Sequence, residues 1–355
     1  MQTKLVKIDC KNIKKDELKE AAEIIREGGL VAFPTETVYG LGADALSREA
    51  AKKIYEAKGR PSDNPLIVHI CDFKELVSIA REVPAEAEQL AKAFWPGPLT
   101  MIVWKNDRVP YTTTGGMDTV AIRMPNHPVA LALIRESGCL IAAPSANTSG
   151  KPSPTEASHV ALDMDGKIPM ILDGGAVGIG IESTIVDLTE DVPMILRPGY
   201  ITKGMLEEVL GKEVKVDPGI IADASDKKPK APGMKYKHYA PKADLVLVEG
   251  EEVAVIQKIN ALVLEKQKKG EKVGVIATDE TKNRYQADYV VSIGARTDED
   301  AIARHLYKIL REFDAWEVDA IYSESFATPR IGQAIMNRLM KAAGHQVLTT
   351  EQERD

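Results

Sequence analysis

The sequence predicts a two-domain α/β protein: a twisted, mixed sheet with helices over residues 1–211, then a smaller doubly wound parallel α/β domain over residues 244–355. Three observations carry this. The first 200 residues hold many short apolar runs between irregularly placed helical patterns, which suits a mixed sheet better than a repeating βαβ unit. The region after residue 244 alternates strand and helix with short connections, the pattern of a parallel doubly wound sheet. Between them, residues 212–243 contain Pro218, Pro229, Pro232 and Pro241 with few large apolar side chains, and residues 227–242 carry six lysines and no acid. That stretch reads as a linker, and a long basic linker is a candidate lid over a binding cleft.

Leu18, Ala21, Ala22 and Ile25 recur at helical spacing and define one buried face. Asp16 is placed to cap that helix and Gly28–Gly29 to end it. Residues 30–33 follow as a short buried strand, and a second helix is predicted from Ser47 to Lys58. Further strands are expected at residues 65–70, 99–104, 119–124, 139–143, 169–172, 183–188 and 193–197. Helices are expected at 73–81, 84–94 and 128–135. In the second domain the expected strands are 245–250, 272–277, 288–294 and 319–324. One helix runs to about Lys268, and another is capped by Thr297 with Ile302, His305, Leu306, Ile309 and Phe313 on one face. A last helix spans about 331–343 and is closed by Gly344. No GxGxxG follows the first strand of this domain, so nothing there points to a dinucleotide.

The 355 residues are 44% hydrophobic and 28% charged, with a formal net charge of −7. The acidic balance argues against strong unaided binding to bare nucleic acid, whose affinity comes mainly from Lys and Arg on phosphates. No apolar run is long enough for a membrane span, and no secretory leader is read at the start. A cytoplasmic protein is therefore expected. Cys10, Cys71 and Cys139 form no CxxC pair and no zinc spacing, and reduced thiols are expected.

The chemically informative residues lie in loops at strand ends. PTETVYGLG (34–42) packs three hydroxyls, a carboxylate and two glycines into nine residues, more than a turn requires. In KGRPSDNPLIVHI (58–70), Lys58 and Arg60 suit either a helix C-terminus or a polyphosphate, with Asn64 beside them. WPGPLT (95–100) reads as an architectural turn. Arg123 sits in an otherwise apolar strand and needs an anion, either a substrate carboxylate or an internal Asp or Glu. PSANTSGKPSPT (144–155) is a small-residue, hydroxyl-rich loop whose backbone N–H groups can approach phosphate oxygens, without the Walker A spacing. A Gly-rich loop leads to Ser183 and Thr184, and Arg197 ends the strand of ILRPG. There is no nucleophile–base signature. This inventory of cations, donors and small residues suits a reaction driven by positioning and charge neutralisation.

In order along the chain, PTETVYGLG, KGRPSDNPLIVHI, WPGPLT, VAIRMP, PSANTSGKPSPT, GIESTIVDL and ILRPG resemble the YrdC-like threonylcarbamoyl-AMP synthase family. The linker segment KAPGMKYKHYAP and the second domain resemble its long, two-domain form. The resemblance implies an open α/β fold with a positively charged concave face. It implies nucleotidyl transfer from ATP, with Mg²⁺ on the phosphates, onto a carbamate made from L-threonine and bicarbonate. The product, L-threonylcarbamoyladenylate, would feed modification of tRNA next to the anticodon through a downstream tRNA threonylcarbamoyl transferase, with contact to tRNA itself open. By motif position, Lys58, Arg60, Ser145 and Asn147 would form the active-site core. Thr37, His69, Arg123, Ala143 and Ser183 would contact threonine. Arg60, Asn64, Thr119, Ser145, Ser153, Arg197 and Tyr236 would contact ATP, and no protein side chain is expected to hold a metal. Two rivals stand beside this reading. One is a carbamoyl transferase of another kind, since YrdC-like domains also occur in hydrogenase-maturation and antibiotic-carbamoylation proteins. Such proteins typically carry extra metal-binding or acylphosphatase segments, and none is visible. The other is an RNA-binding module, against which the acidic charge and the lack of stacking aromatics count.

Overall fold

The computed structural model describes residues 2–220, 238–326 and 328–350. The chain divides into two compact units, residues 1–149 with 153–236 and residues 150–152 with 237–355.

In chain order the first unit holds β1 (Lys4–Lys7), α1 (Lys15–Arg26), β2 (Val31–Phe33), β3 (Gly40–Asp44), α2 (Arg48–Lys58), β4 (Ile67–His69), α3 (Phe73–Ile79), α4 (Ala85–Phe94), β5 (Leu99–Trp104), β6 (Thr119–Arg123), α5 (Pro128–Ser137), β7 (Ile141–Ala142), α6 (Ala157–Met164), β8 (Met170–Asp173), β9 (Thr184–Asp187), β10 (Met194–Arg197), α7 (Lys203–Leu210) and β11 (Lys215–Val216). Its strands form one 11-stranded sheet in the order β1-β8-β2-β3-β7-β4-β6-β5-β9-β10-β11. The sheet is mixed: β2/β3, β3/β7, β5/β6 and β9/β10 pair antiparallel, whereas β1/β8, β4/β6 and β5/β9 pair parallel.

Side chains alternate across a strand, and this sheet uses both faces. Ala32, Leu41, Val68, Met101 and Ile122 join a core with α2 and α4 residues such as Ala51, Ile54 and Leu90. Val31, Phe33, Ile141 and Leu172 face the other way, against Leu18, Ala21 and Ile25 of α1 and Val129 and Leu133 of α5. Beyond β7 that second face carries a small apolar cluster of Ile67, Ile102, Ala121, Ile185 and Leu196.

The expected periodicity of α1 holds, with Leu18, Ala21, Ala22 and Ile25 buried. Its cap differs: Asp16 lies within the first turn, where it complements the helix dipole, and Glu17 accepts the Lys14 backbone N–H at 3.3 Å. Ser47 caps α2 through the Ala50 N–H at 3.2 Å. The strand β3 begins inside the stretch read from sequence as a loop and runs two residues past it, and β1, α6 and α7 were not expected. The start of the expected linker is also structured, because β11 pairs with β10.

The second unit holds β12 (Asp244–Glu249), α8 (Glu252–Gln267), β13 (Val273–Ala277), β14 (Tyr289–Ser292), α9 (Glu299–Trp316), β15 (Ala320–Glu324), α10 (Gly332–Ala342) and β16 (Val347–Thr349). All four strand pairings are parallel, in the order β14-β13-β15-β12-β16. Val255, Ile256, Ile259 and Val263 of α8 pack on Val273, Val275 and Ala277. Gly274 faces the opposite way, where a Cβ would lie 2.5 Å from the Phe313 ring of α9. Helices therefore cover both faces, the doubly wound arrangement expected. The α9 cap is Asp298 rather than Thr297, accepting the Ala301 N–H at 2.9 Å. At the end of β15 the buried Glu324 accepts hydrogen bonds from Thr281 and Tyr285 and pairs with Arg296. The three cysteines are free thiols.

Candidate active site

Register builds a row of polar side chains across the first unit. His69 at the end of β4 is the partner of Arg123 at the end of β6, and Arg123 is in turn the partner of Thr100 in β5. Alternation places Arg123 on the same face as Ala121, opposite the helix-covered Ile122. Thr100 Oγ1 lies 2.7 Å from Ser183 Oγ, just before β9. Arg197, at the end of β10, donates to the Ser183 carbonyl at 3.0 Å and to its hydroxyl at 3.1 Å. His69, Arg123, Thr100, Ser183 and Arg197 thus line successive strand ends, all buried.

The polar loop before β3 closes one end of this row. Thr35 and Thr37 hydroxyls are 2.9 Å apart, and Arg123 Nη1 donates to Thr37 Oγ1 at 2.9 Å. Arg123 Nε donates to the Gly97 carbonyl at 3.3 Å. The turn carrying that carbonyl has a cis Trp95–Pro96 bond, and Trp95 Nε1 donates to the Leu99 carbonyl at 2.7 Å. Of the two partners open to Arg123, the structure supplies the internal one: Glu36 Oε2 approaches Arg123 Nη2 at 2.5 Å. The approach is ionic, without the angles of a hydrogen bond. Burial first, and then the Arg123 charge, hold the His69 pKa down to about 3. The imidazole is therefore neutral at ordinary pH. Ala143 closes the floor beside it, its N–H bonded to the Ile67 carbonyl at 2.8 Å.

The cations of the second group stand at the end of α2. Gly59 caps that helix in the left-handed region at φ 61°, so the chain turns sharply after Lys58. Lys58 Nζ donates to the Ser145 and Asn147 carbonyls, each at 2.5 Å, and pins the small-residue loop. Arg60 donates to the Asn64 side-chain oxygen at 2.6 Å and to the Pro65 carbonyl at 3.1 Å. Asn147 Nδ2 donates to the Thr148 carbonyl at 2.8 Å. The two groups meet through β3: Gly40 bridges Ser145, and the Ala146 N–H reaches the Tyr39 carbonyl at 2.8 Å. The Tyr39 N–H in turn reaches the Pro154 carbonyl, next to Ser153, at 2.9 Å. Ser153 donates to Glu182 at 2.6 Å. Thr119 starts β6, one strand length from Arg123. Tyr236 lies outside the described residues.

Glu36, Glu182 and Thr100 were missed as individual site residues. Each lay within a stretch singled out from sequence: Glu36 in PTETVYGLG, Thr100 in WPGPLT and Glu182 in GIESTIVDL. Arg123 and Arg197 lie in the buried row, Lys58 and Arg60 at the end of α2 and in the loop after it, and small residues let backbone approach a ligand closely. Such a site neutralises anions and holds them in place. Among the described residues no group of three or more His, Cys, Asp or Glu side chains could hold a metal ion. A magnesium ion would be held largely by substrate phosphates, with the Ser153 hydroxyl and the Glu182 carboxylate, 2.6 Å apart, as protein oxygens beside the loop. Among the same residues no helix is long and apolar enough to cross a membrane.

Comparison with known proteins adds to this geometry. Residues 23–199 match the Sua5/YciO/YrdC family model, described as telomere recombination. Residues 201–344 match a model described as the threonylcarbamoyl-AMP synthase C-terminal domain. The chain is 54% identical to the threonylcarbamoyl-AMP synthase of Bacillus subtilis over 94% of each chain. It is 52% identical to that of Pyrococcus abyssi, over 94% of this chain and 95% of the relative. The crystal structure of P. abyssi Sua5 complexed with L-threonine superposes with a TM-score of 0.92 at 50% identity, covering 98% of this chain and 99% of that one.

Proposed function

The chain belongs to the threonylcarbamoyl-AMP synthase family, enzymes that use ATP to form an adenylate, and on that premise we propose the reaction and the residues that carry it here. L-Threonine and bicarbonate condense to a carbamate, whose oxygen attacks the α-phosphorus of ATP and expels pyrophosphate, giving L-threonylcarbamoyladenylate. The observation that carries this is the buried polar row at the strand ends, centred on Arg123 and flanked by a second cation group. A relative seen with L-threonine supports the choice of amino acid.

Arg123 receives the threonine carboxylate, and Thr37, His69, Ala143 and Ser183 surround the rest of the amino acid. Neutral His69 offers the threonine hydroxyl a hydrogen-bond partner, and a hydroxyl is discriminated far better by such a partner than by pocket size. Arg60, Asn64, Thr119, Ser145, Ser153, Arg197 and Tyr236 receive ATP. Lys58 acts on the loop carrying Ser145 and Asn147, so the phosphate-facing backbone is set before the nucleotide arrives. Carbamate and phosphate are both anionic, so their approach depends on these cations. Mg²⁺ on the phosphates would add charge neutralisation at the leaving pyrophosphate. Carbamate and mixed anhydride both hydrolyse readily, so water must be kept out.

The division into a catalytic domain at 1–211, a linker at 212–243 and a second domain at 244–355 belongs to the same reading, on composition and strand–helix alternation. So do a cytoplasmic location, use of the product for tRNA modification next to the anticodon, and hand-over to a downstream transferase. Pyrophosphate release measured with single omissions tests the reaction. It is expected only when threonine, bicarbonate and ATP are all present, and release independent of threonine would overturn it.

A further inference from the structure

Glu36 and Arg123 are two halves of an ion pair that leaves much of its bonding capacity unused. Glu36 Oε2 stands 2.5 Å from Arg123 Nη2, and the two side chains are 12% and 4% exposed. Both Glu36 carboxylate oxygens and Arg123 Nη2 are shielded from solvent, yet none makes a hydrogen bond among the described residues. Buried polar groups in folded proteins are almost always bonded, and an unbonded one calls for a cause. The backbone is not the cause, because it is firmly held. The Ile179 N–H bonds the Glu36 carbonyl at 2.8 Å and the Gly180 N–H bonds the Thr37 carbonyl at 3.1 Å. Arg123 is equally fixed by Thr37 and Gly97. A held backbone and an under-bonded ion pair describe a site whose missing partners come from outside.

An amino-acid zwitterion has the matching charges. Its carboxylate and ammonium are attached to one carbon, so one ligand can offer an anion to Arg123 and a cation to Glu36. We propose that Glu36 is the site's resident counter-ion. Threonine's carboxylate displaces it from Arg123, and Glu36 then pairs with threonine's ammonium and takes one of its protons. This rests on the reading that Arg123 receives the threonine carboxylate. The exchange converts one under-bonded ion pair into two charge-assisted ones, so Arg123 is never left buried without an anion, a state that folded proteins avoid.

The proton has a definite place in the reaction. Ammonium nitrogen has no lone pair and cannot attack bicarbonate. Loss of one proton to the Glu36 carboxylate yields the amine and a neutral Glu36 carboxyl. The amine nitrogen then forms a bond to the bicarbonate carbon. The C–OH bond of bicarbonate breaks, and the departing hydroxide takes a second proton from the nitrogen and leaves as water. The carbamate keeps one N–H and the negative charge that bicarbonate brought. No oxidant or reductant is needed.

The test separates a counter-ion from a merely structural acid. Calorimetric binding of L-threonine and of 3-hydroxybutyrate, which keeps the carboxylate and hydroxyl but lacks the ammonium, is measured on the full chain. Wild type, Glu36→Gln and Glu36→Asp are compared. Removing the resident competitor should let 3-hydroxybutyrate bind Glu36→Gln about tenfold or more tightly than wild type, while threonine gains nothing or loses affinity. Glu36→Asp should keep the wild-type preference for threonine. Threonine-dependent pyrophosphate release by Glu36→Gln should fall about 100-fold in kcat. Equal weakening of both ligands in Glu36→Gln would mean that Glu36 only props Arg123, and would overturn the proposal. So would an unchanged preference for threonine. If wild type itself bound no threonine, the failure would lie with the reading of Arg123, and Arg123→Ala would then bind both ligands no differently from wild type.

Discussion

His69 and Arg123 are cross-strand neighbours, paired in register at the ends of β4 and β6. Burial and that guanidinium together hold the imidazole pKa near 3. The unfolded chain protonates the same side chain near pH 6.5. Between the two values the unfolded state binds more protons than the folded one. Stability contributed by neutral His69 is therefore complete above about pH 6.5 and is lost as pH falls toward 3. Urea unfolding should show wild type losing of the order of 3 kcal/mol more than His69→Gln between pH 7 and pH 4. Parallel pH slopes for the two proteins would show that His69 is not held neutral.

Lys58 is 2% exposed and spends its charge on two backbone carbonyls, those of Ser145 and Asn147. Lys58→Ala removes one donor from a half-buried and a buried carbonyl, at a cost of about 2–4 kcal/mol. Adenylate formation should fall at least about 100-fold, because the loop carrying Ser145 is no longer held. Lys58→Arg should restore little, since a planar fork cannot replace a point donor between two carbonyls. Steady-state rates and denaturation midpoints read both effects.

Gly199 follows β10, and a Cβ there would lie 2.4 Å from the Thr184 nitrogen and 2.8 Å from the Ser183 carbonyl carbon. Gly199→Ala must therefore push the segment that positions Ser183 between Thr100 and Arg197. Overpacking of this kind costs about 1–3 kcal/mol. The threonine KM should rise about tenfold, and a KM unchanged for both threonine and ATP would show that the Ser183 position is not critical.

In the second unit, Glu324 is 2% exposed and gathers Thr281, Tyr285 and Arg296 around one carboxylate. Glu324→Ala removes the common acceptor of three donors and should destabilise that unit by about 2–4 kcal/mol. Faster hydrogen exchange in peptides covering β13 and β15 would report the loss, and unchanged protection would contradict it.

Much of the fold was legible where short-range pattern decides structure. The α1 stripe, the Ser47 cap of α2 and the apolar run of β5 all obey local rules. Elements missed from sequence depend on distant partners. β1 is mostly exposed and exists because β8, far along the chain, pairs with it. β3 carries Gly40 and Gly42, poor strand residues by propensity, but a Cβ at Gly42 would lie 2.6 Å from the Phe33 ring. Packing, not propensity, placed that strand.

The site shows the same division. Lys58 reaches the Ser145 and Asn147 carbonyls, and Arg60 stays within its own loop on Asn64 and Pro65, because each motif is a loop adjoining one strand or helix end. The row from His69 to Arg197 depends on strand order, which no local pattern encodes. The need of Arg123 for an anion was readable from its apolar surroundings. That Glu36 meets the need was not, since the two residues are joined only by folding.

If threonine, bicarbonate and ATP are joined at the cations around Lys58 and Arg60, mass spectrometry of reactions run with ¹³C-bicarbonate will detect the product. Wild type should yield threonylcarbamoyl-adenylate carrying one heavy carbon, and Lys58→Ala and Arg60→Ala should yield little or none. Unlabelled adenylate from wild type, or abundant labelled product from both variants, would show that bicarbonate or these two cations play no such part.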